Sequence, residues 1–470
     1  MSSDDIDGLL MSMSSEMYGT SGPLVPQLSL SLSNTEPPPI RYVEIEAARH
    51  KAVSSLSGVF QELCTPYFNP KRWYKHFESW LWHQRAISGA SNTDSVLPDT
   101  PACTVDYELC RKLVKNGATV ENAAAICRTI GEKSTFLSRK ISELSLDVKY
   151  SIVKQSTIQL PNGDTKIRLT YKDTAVEINS DSYRKLDMLH KNAGGERTKL
   201  LSNMFKLLVR YSSAQGACYQ AGGNQAAIHP RCMDILVSKF GVKGECFASP
   251  MNCYYPGQDL AYTYCSAFPD TDTVFGSVGS FDSFTPTHGC YEANPPFDPL
   301  IVHNMYARMH GLLATAEERR KVLMFVIIMP YWEEAESSDP EELVTFYREE
   351  SANRVTKRNA WTEIAESQFL SKSLRLEASQ HGYMEGAQHA KKNQHRVSSQ
   401  DTSIFFLQTS KAKRKYPLDE SSVQLLVDAF RPISTVETNN TSESSTSKRV
   451  VKRKKNTTNT KNDRKKSRFK

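Results

Sequence analysis

The chain has 470 residues and a net charge of +7, a length that allows two or three domains and a sizeable core. No apolar run approaches the roughly 18–20 residues that cross a bilayer, and the N-terminus lacks the basic stretch and apolar core of a secretory signal. We therefore expect no membrane association and a location inside the cell, where the ten cysteines would be reduced. None of them forms a CxxC pair, so no metal site is predicted.

The positive charge is concentrated near the C-terminal end. Residues 448–470 contain twelve Lys or Arg and one Asp, a net charge of +11, so the other 447 residues carry a net charge of −4. The body is therefore not globally basic. A Lys/Arg run of this kind is typical of a nuclear import signal or an electrostatic RNA tether. We predict a nuclear protein with a disordered basic tail over residues 431–470.

Elements of the N-terminal half follow from composition and periodicity. Residues 1–39 are rich in Ser, Gly and Pro and are predicted to be disordered. Helical spacing of apolar residues begins at Tyr42 and returns over 184–212. Between them the period changes to two, around the turn signal of residues 161–164, which indicates a hairpin. The prediction is a helical domain over 40–212 with a β-hairpin near 156–178.

Five aromatic residues cluster between Trp73 and Trp82. Aromatic rings can stack on a flat cation such as a methylated guanine, which would favour binding of a methylated nucleotide. The helical spacing of Trp73, Phe77 and Trp80 is more simply that of a helix facing a core. We favour the core interpretation.

From residue 213 to residue 430, short apolar strands alternate with helical patterns, which predicts an α/β domain with a doubly wound sheet. Residues 245–249 are predicted as its first strand. Residues 322–329 form an apolar run that predicts a later, central strand buried on both faces. In such sheets ligands bind beyond the carboxyl ends of the strands.

Asn294-Pro295-Pro296-Phe297 carries the strongest chemical signal. The exocyclic amine of adenine is a poor nucleophile because its lone pair is delocalised into the ring. The Asn294 side-chain oxygen and the Pro295 carbonyl can each accept one amine hydrogen and turn that lone pair towards a methyl donor. Two prolines fix the backbone that carries this carbonyl, and Phe297 offers a face for base stacking. The alternative is a surface Pro-Pro turn that precedes a helix.

The surrounding motifs resemble the cap-specific adenosine N6-methyltransferases, the family founded by the phosphorylated-CTD-interacting factor. The resemblance covers roughly residues 200–410 and rests on several segments in order: 244–254, 264–272, 275–277, 292–297, 330–332, Tyr383, 386–389 and 405–408. It implies a Rossmann-like domain that uses S-adenosylmethionine to methylate the first transcribed adenosine of m7G-capped mRNA. It also implies the transcription machinery as a partner, but the WW module of the animal members, with its paired tryptophans, is not recognisable in this sequence.

The resemblance also assigns binding residues. The cofactor would lie at the end of the first strand and in the turn that follows, which contains Glu245, Phe247, Ala248, Ser249, Pro250 and Asn252. A carboxylate after the next strand commonly accepts ribose hydroxyls, and Asp270 or Asp272 could do so, although the same residues could form an Asx-type turn. A looser match places Glu377, Ala378 and Ser379 near the cofactor.

Substrate contacts are implied at Asp298 and at the turn after the central strand, which comprises Pro330, Tyr331, Trp332, Glu333 and Glu334. The family typically has an acid next to Asp298, where this chain has Pro299, so that contact is not expected here. Other activities remain open: the same tetrapeptide serves enzymes that methylate adenine in DNA or internal RNA, or glutamine in proteins. A catalytically silent nuclear RNA-binding scaffold is a further alternative.

Overall fold

The structure is a computed structural model that describes residues 39–88, 94–99, 105–144, 152–161, 163–216, 223–255, 262–331, 359–386, 389–390 and 395–432. The predicted disordered segments, 1–39 and 431–470, lie outside these residues except at positions 39, 431 and 432. The predicted substrate residues Trp332, Glu333 and Glu334 lie outside them as well.

The N-terminal half is mainly helical and contains one small sheet. Its helices and strands are α1 (Pro39–Cys64), α2 (Trp73–Ser88), α3 (Tyr107–Lys115), α4 (Val120–Ser142), β1 (Lys154–Gln159), β2 (Thr165–Tyr171), β3 (Thr174–Asn179), α5 (Ser180–Asn192) and α6 (Leu200–Ala214). The three strands are antiparallel in the order β1-β2-β3. The predicted hairpin is therefore present with a third strand, which follows a tight turn where Lys172 has a φ of 49°.

Three of these helices begin after a polar N-cap residue. The side chains of Asp106, Thr119 and Asn179 each accept a backbone N–H from the first turn of α3, α4 and α5. Those N–H groups have no acceptor inside the helix, so each capping side chain supplies a hydrogen-bond acceptor for one of them. The apolar face of α2 then packs inward, with Phe77 and Trp80 buried against Phe60 of α1. The core interpretation is confirmed for Phe77 and Trp80, and Trp73 is partly buried against the same core.

The second half is built on a six-stranded sheet. Its elements are α7 (Pro230–Phe240), β4 (Val242–Ala248), β5 (Thr263–Ser266), the short α8 (Pro269–Asp272), β6 (Gly289–Ala293), α9 (Pro299–Glu318), β7 (Leu323–Pro330), α10 (Ala360–Ala365), β8 (Leu370–Leu376), β9 (Gly382–Met384), β10 (His395–Val397), β11 (Thr402–Gln408), α11 (Ser410–Lys415) and α12 (Glu420–Ala429). The sheet order is β5-β4-β6-β7-β11-β8. Strands β9 and β10 pair separately.

Five of the six strands are parallel, since only β11 runs antiparallel to both of its neighbours. Alternate residues of β7 pack into two different hydrophobic clusters, one with α9 and α10 and the other with α7 and α12. All eight residues of β7 are buried. A mixed α/β fold with a mostly parallel sheet, covered on both faces, is therefore confirmed, as is the prediction of a fully buried central strand.

An ionic network, buried except for the half-exposed Asp270, connects α1, α6 and the segment after β5. The Arg210 guanidinium of α6 donates to Glu46 of α1 at 2.9 Å and to both oxygens of Asp270 at 2.9 and 2.8 Å. Arg49 of α1 adds a pair with Asp94, at 2.8 Å for the closer oxygen. Charges removed from water need partners of opposite sign, so this network holds the helical segments against the sheet edge.

Candidate active site

The predicted site residues lie at one edge of the sheet. Strands β4, β6, β7 and β8 run in the same direction, so their carboxyl ends meet at this edge. Ser249 follows β4, Asn294 follows β6, Tyr331 follows β7 and Glu377 follows β8. This edge is where open α/β sheets bind ligands.

A cavity of about 210 Å³ opens at this edge, between the ends of β4, β5 and β6. Asn294 and Pro296 of the tetrapeptide line it, together with Phe247, Ala248 and Asn252 from the end of β4 and the turn that follows. The structure thus brings two predicted groups, the methylation motif and the cofactor turn, to the wall of one cavity.

Asn294 is held in one orientation by the backbone. Its side-chain amide nitrogen donates to the Ala226 carbonyl at 2.9 Å. The residue is 8% exposed, and its side-chain oxygen is buried without a hydrogen-bond partner among the described residues. A buried acceptor without a partner costs roughly 1–3 kcal/mol, so a donor supplied by a ligand would be favoured at this atom. The side-chain oxygen of Asn294 is therefore preoriented to accept a hydrogen bond.

The other three motif residues divide between backbone and packing roles. The Pro296 carbonyl accepts the Asp298 backbone N–H at 2.8 Å, and the Pro295 carbonyl receives no hydrogen bond from a described residue. Phe297 is partly buried, and its ring lies edge-on to Tyr383 with 6.3 Å between centroids. Phe297 is not among the residues that line the cavity, so base stacking on it stays a prediction.

Asp298 is buried at the start of α9, and both of its oxygens already have partners. One oxygen accepts the backbone N–H groups of Leu300 and Ile301 as an N-cap, and the other is 2.8 Å from Nδ1 of His83. Burial lowers the pKa of His83, but the hydrogen bond to Asp298 and nearby acidic charges outweigh burial and raise it. The geometry gives Asp298 a structural role and does not favour a direct substrate contact. Pro299 occupies the first helical position, where proline fits.

The turn after β4 is ordered by its own polar groups. The Asn252 side-chain oxygen accepts the backbone N–H and the hydroxyl of Ser249, at 2.6 and 2.8 Å. Lys185 of α5 donates to the carbonyls of Met251 and Cys253 from outside. Ser249 and Pro250 are buried within this turn and do not line the cavity. Glu245 is buried below it, where it accepts the Tyr254 N–H at 2.8 Å.

Asp270 and Asp272 are not part of the cavity wall. Asp270 forms the ion pair with Arg210, whose charge outweighs burial and lowers the pKa of Asp270. Asp272 is fully buried, and its carboxylate accepts the Tyr211 hydroxyl at 2.6 Å. Burial raises the pKa of Asp272 to about 6. The structure therefore does not favour either residue as a ribose ligand, because α6 supplies partners for both carboxylates.

Two further predicted segments lie along the same sheet edge but outside the cavity lining. Tyr331 follows the buried Pro330 and packs against Trp361, with Arg375 above its ring at 3.9 Å. Residues 377–379 form a turn beyond β8 in which the Ala378 N–H binds Asp401 and Ser379 has a φ of 65°. The cofactor contacts inferred for Glu377, Ala378 and Ser379 are not brought to the cavity.

The structure adds residues from α2 that sequence reasoning assigned to the core or did not consider. Trp82 and Arg85 line the cavity, and the guanidinium carbon of Arg85 lies 4.9 Å from the centre of the Trp82 ring and 4.4 Å from that of Phe268. Burial lowers the pKa of Arg85 to about 10, which leaves it charged at neutral pH. Its Nη1 is buried without a partner among the described residues. No sequence signal separated these two residues from their core neighbours.

Among the described residues that line the cavity, Asp282 is the one carboxylate. It is exposed, and its backbone N–H donates to the Ser280 hydroxyl at 3.1 Å. Its position in a Ser-Phe-Asp-Ser run after Gly279 offered a weak turn signal. Within the described residues no cluster of three or more His, Cys, Asp or Glu could hold a metal ion. No helix among those residues is long and apolar enough to span a membrane.

Comparison with known proteins identifies a matching family model and two relatives of this chain. Residues 183–355 match the family model described as the phosphorylated CTD interacting factor 1 WW domain. The matched stretch contains the tetrapeptide and a single tryptophan, Trp332, so the match does not rest on paired tryptophans.

Two relatives, from Mus musculus and Homo sapiens, are named mRNA (2'-O-methyladenosine-N(6)-)-methyltransferase. Each is 29% identical to this chain over 281 residues, which is 58% of this chain and 36% of the relative. The match therefore spans about a third of the length of these relatives. The comparisons confirm the resemblance of this chain to the cap-specific adenosine N6-methyltransferases represented by the phosphorylated CTD interacting factor.

Proposed function

We propose that this protein transfers a methyl group from S-adenosylmethionine to the N6 amine of the first transcribed adenosine in m7G-capped RNA. The observation that carries the proposal is the unpartnered side-chain oxygen of Asn294, held on the wall of a cavity that also contains the end of β4 and part of the following turn. The names of the mouse and human relatives support the same reaction.

The residues of the cavity suit an adenosine-containing methyl donor. Asn252, Phe247 and Ala248 lie where a doubly wound sheet holds its cofactor. Asp282, the carboxylate on the wall, replaces Asp270 and Asp272 as the proposed acceptor for ribose hydroxyls. Nη1 of Arg85, which has no hydrogen-bond partner among the described residues, offers a charged donor to an oxyanion of a bound ligand. S-adenosylmethionine supplies an electrophilic methyl group when bound.

The motif then acts on the target amine through two acceptors. Asn294 accepts one amine hydrogen, and the Pro295 carbonyl accepts the other. As the nitrogen becomes tetrahedral its hydrogens grow more acidic, so both hydrogen bonds strengthen in the transition state. Correct placement of the two reacting atoms would contribute most of the acceleration. An unpaired adenosine at an RNA end can enter the site without the cost of opening a duplex.

We also propose that the sheet half is a Rossmann-like methyltransferase domain over 213–430 and that the helical half over 40–212 closes one side of an RNA groove. Trp82 and Arg85 support this arrangement because they bring α2 to the cavity. A nuclear location is proposed from the Lys/Arg run of residues 448–470. The description of the matched family supports the phosphorylated tail of the transcribing polymerase as a second partner to test.

The decisive experiment measures methyl transfer from labelled S-adenosylmethionine to short RNAs that differ only in the m7G cap, in ribose methylation and in the first base. We expect transfer to capped RNA that begins with adenosine, and none to a guanosine control. Equal transfer to uncapped RNA, to DNA or to a glutamine-containing peptide would replace this substrate with one of those alternatives. Absence of S-adenosylmethionine binding in calorimetry would indicate a scaffold instead.

A further inference from the structure

Two buried glutamates lie side by side on strands β4 and β6. Glu245 of β4 and Glu292 of β6 are register partners on adjacent parallel strands, and the two residues are 7% and 2% exposed. Neighbouring strands are about 4.8 Å apart and register partners project to the same face. The two carboxyl groups are therefore close neighbours in a site removed from water.

No cation neutralises this pair within the part of the chain that the structure describes. The nearest ammonium, Lys185 of α5, donates to the Met251 and Cys253 carbonyls and forms no ion pair with either glutamate. The other titratable groups that face the pair are all neutral at physiological pH, because burial raises the pKa of each: Tyr254, Tyr262, Tyr264 and Tyr383, and the thiols Cys246 and Cys253.

Two carboxylates that adjoin in a low-dielectric site cannot both be ionised. Burial raises the pKa of Glu245, against the hydrogen bond from Tyr254 and the charge of Lys185. Burial, together with the negative charge of Glu245, raises the pKa of Glu292 well above its ordinary value. Register, burial and the like charges therefore favour one proton on the pair at neutral pH.

We propose that Glu245 and Glu292 share this proton, and that the resulting acid–carboxylate hydrogen bond positions Asn294 relative to the turn after β4. Glu292 lies two residues before Asn294. Glu245 accepts a hydrogen bond from the backbone N–H of Tyr254, which lies just beyond that turn. The shared proton would join the strand that carries the methylation motif to the strand that carries the cofactor turn. Only the positioning role rests on the proposed function, since the sharing itself follows from register and burial.

The direction of the pH effect on stability follows from the raised pKa values of Glu245 and Glu292. A carboxyl whose folded pKa exceeds its unfolded value, about 4.3, contributes stability that is present below that value and lost as pH rises through the folded pKa. The wild-type protein should thus lose stability between mildly acidic and alkaline pH. Glu292→Gln keeps a hydrogen-bond donor towards Glu245 but cannot be deprotonated. Its stability should therefore decrease less than that of the wild type as pH rises.

The test compares thermal unfolding of the full chain at pH 5, 7 and 9 for wild type, Glu292→Gln, Glu245→Gln and Glu62→Gln. Glu62 is an exposed glutamate on α1 and serves as the matched control. We expect Glu292→Gln to unfold at a higher temperature than wild type at pH 9, with a smaller or reversed difference at pH 5. Glu62→Gln should follow wild type throughout. Parallel pH curves for wild type and both buried-site variants would overturn the sharing of a proton.

The positioning role is tested by the pH dependence of methyl transfer. Glu292→Gln should keep turnover within about threefold of wild type at pH 7. The alkaline limb of its kcat–pH profile should move to higher pH. An alkaline limb that is unchanged, or turnover lost at every pH despite normal folding, would contradict positioning. If the wild-type protein transferred no methyl group at all, the proposed function would fail while the unfolding experiment still decided whether the proton is shared.

Discussion

Replacement of Asn294 by alanine should abolish methyl transfer with little effect on folding. The change removes the buried side-chain oxygen of Asn294, which has no hydrogen-bond partner among the described residues and is the proposed acceptor for an amine hydrogen. Loss of a preorganised acceptor for a transition state costs about 3–4 kcal/mol, which corresponds to a decrease of roughly 10²–10³ in kcat. The loss should appear in kcat more than in KM, because the hydrogen bond strengthens as the amine changes geometry.

The effect of Asn294→Ala on stability should be small because two changes oppose each other. The variant loses the 2.9 Å hydrogen bond to the Ala226 carbonyl, which leaves that acceptor short of a partner at a cost of about 1–3 kcal/mol. It also removes a buried oxygen that had no partner, which recovers a similar amount. We therefore expect a net change in the free energy of unfolding within about 1 kcal/mol.

The assay pairs single-turnover methyl transfer to capped RNA with thermal unfolding and calorimetric binding of S-adenosylmethionine. Asn304→Ala is the matched control, since Asn304 of α9 also lines the cavity but is exposed and lies outside the motif. We expect Asn294→Ala to bind the methyl donor normally and to transfer almost nothing, while Asn304→Ala stays within about threefold of wild type. Turnover of Asn294→Ala near wild type, or equal losses in both variants, would refute the role given to Asn294.

Phe297→Ala should raise the KM for capped RNA as well as lower kcat, because stacking contributes about 1–3 kcal/mol in the ground and transition states alike; an unchanged KM would show that the ring only packs against its neighbours. Deletion of residues 433–470 should leave turnover intact at saturating short RNA, and should weaken RNA binding in a salt-dependent manner and reduce nuclear accumulation. An identical salt slope and a nuclear truncated protein would show that the tail has neither role. Arg210→Met should destabilise the fold by about 3–5 kcal/mol in urea titrations, because it removes one of the two buried arginines that pair with the buried Glu46 and leaves the half-exposed Asp270 without this partner. Arg168→Met, in an exposed pair, should cost at most about 1 kcal/mol, and similar losses in the two variants would contradict the importance of the network.

The sequence by itself determined the features that contiguous residues encode. An unbroken apolar run predicted the buried central strand, and the spacing of Phe77 and Trp80 predicted the packed face of α2. The motif at Asn294 was recognisable because its restraints are local: the prolines that fix the backbone are next to the residue that they orient. Periodicity and proline geometry depend on near neighbours in the chain, so they are visible before any fold is known.

Only the tertiary structure decided which side chains meet. The sequence left Asp270 and Asp272 as either ribose ligands or an Asx-type turn, and only the structure shows that Arg210 and Tyr211, about 60 residues earlier, contact their carboxylates. Arg85 reaches the cavity from α2, about 200 residues before the motif. The pairing of Glu245 with Glu292 depends on the register of two strands, which no local pattern specifies. Partners of this kind are set by the packing of distant segments, where each polar group removed from water takes the nearest complementary group that the fold supplies.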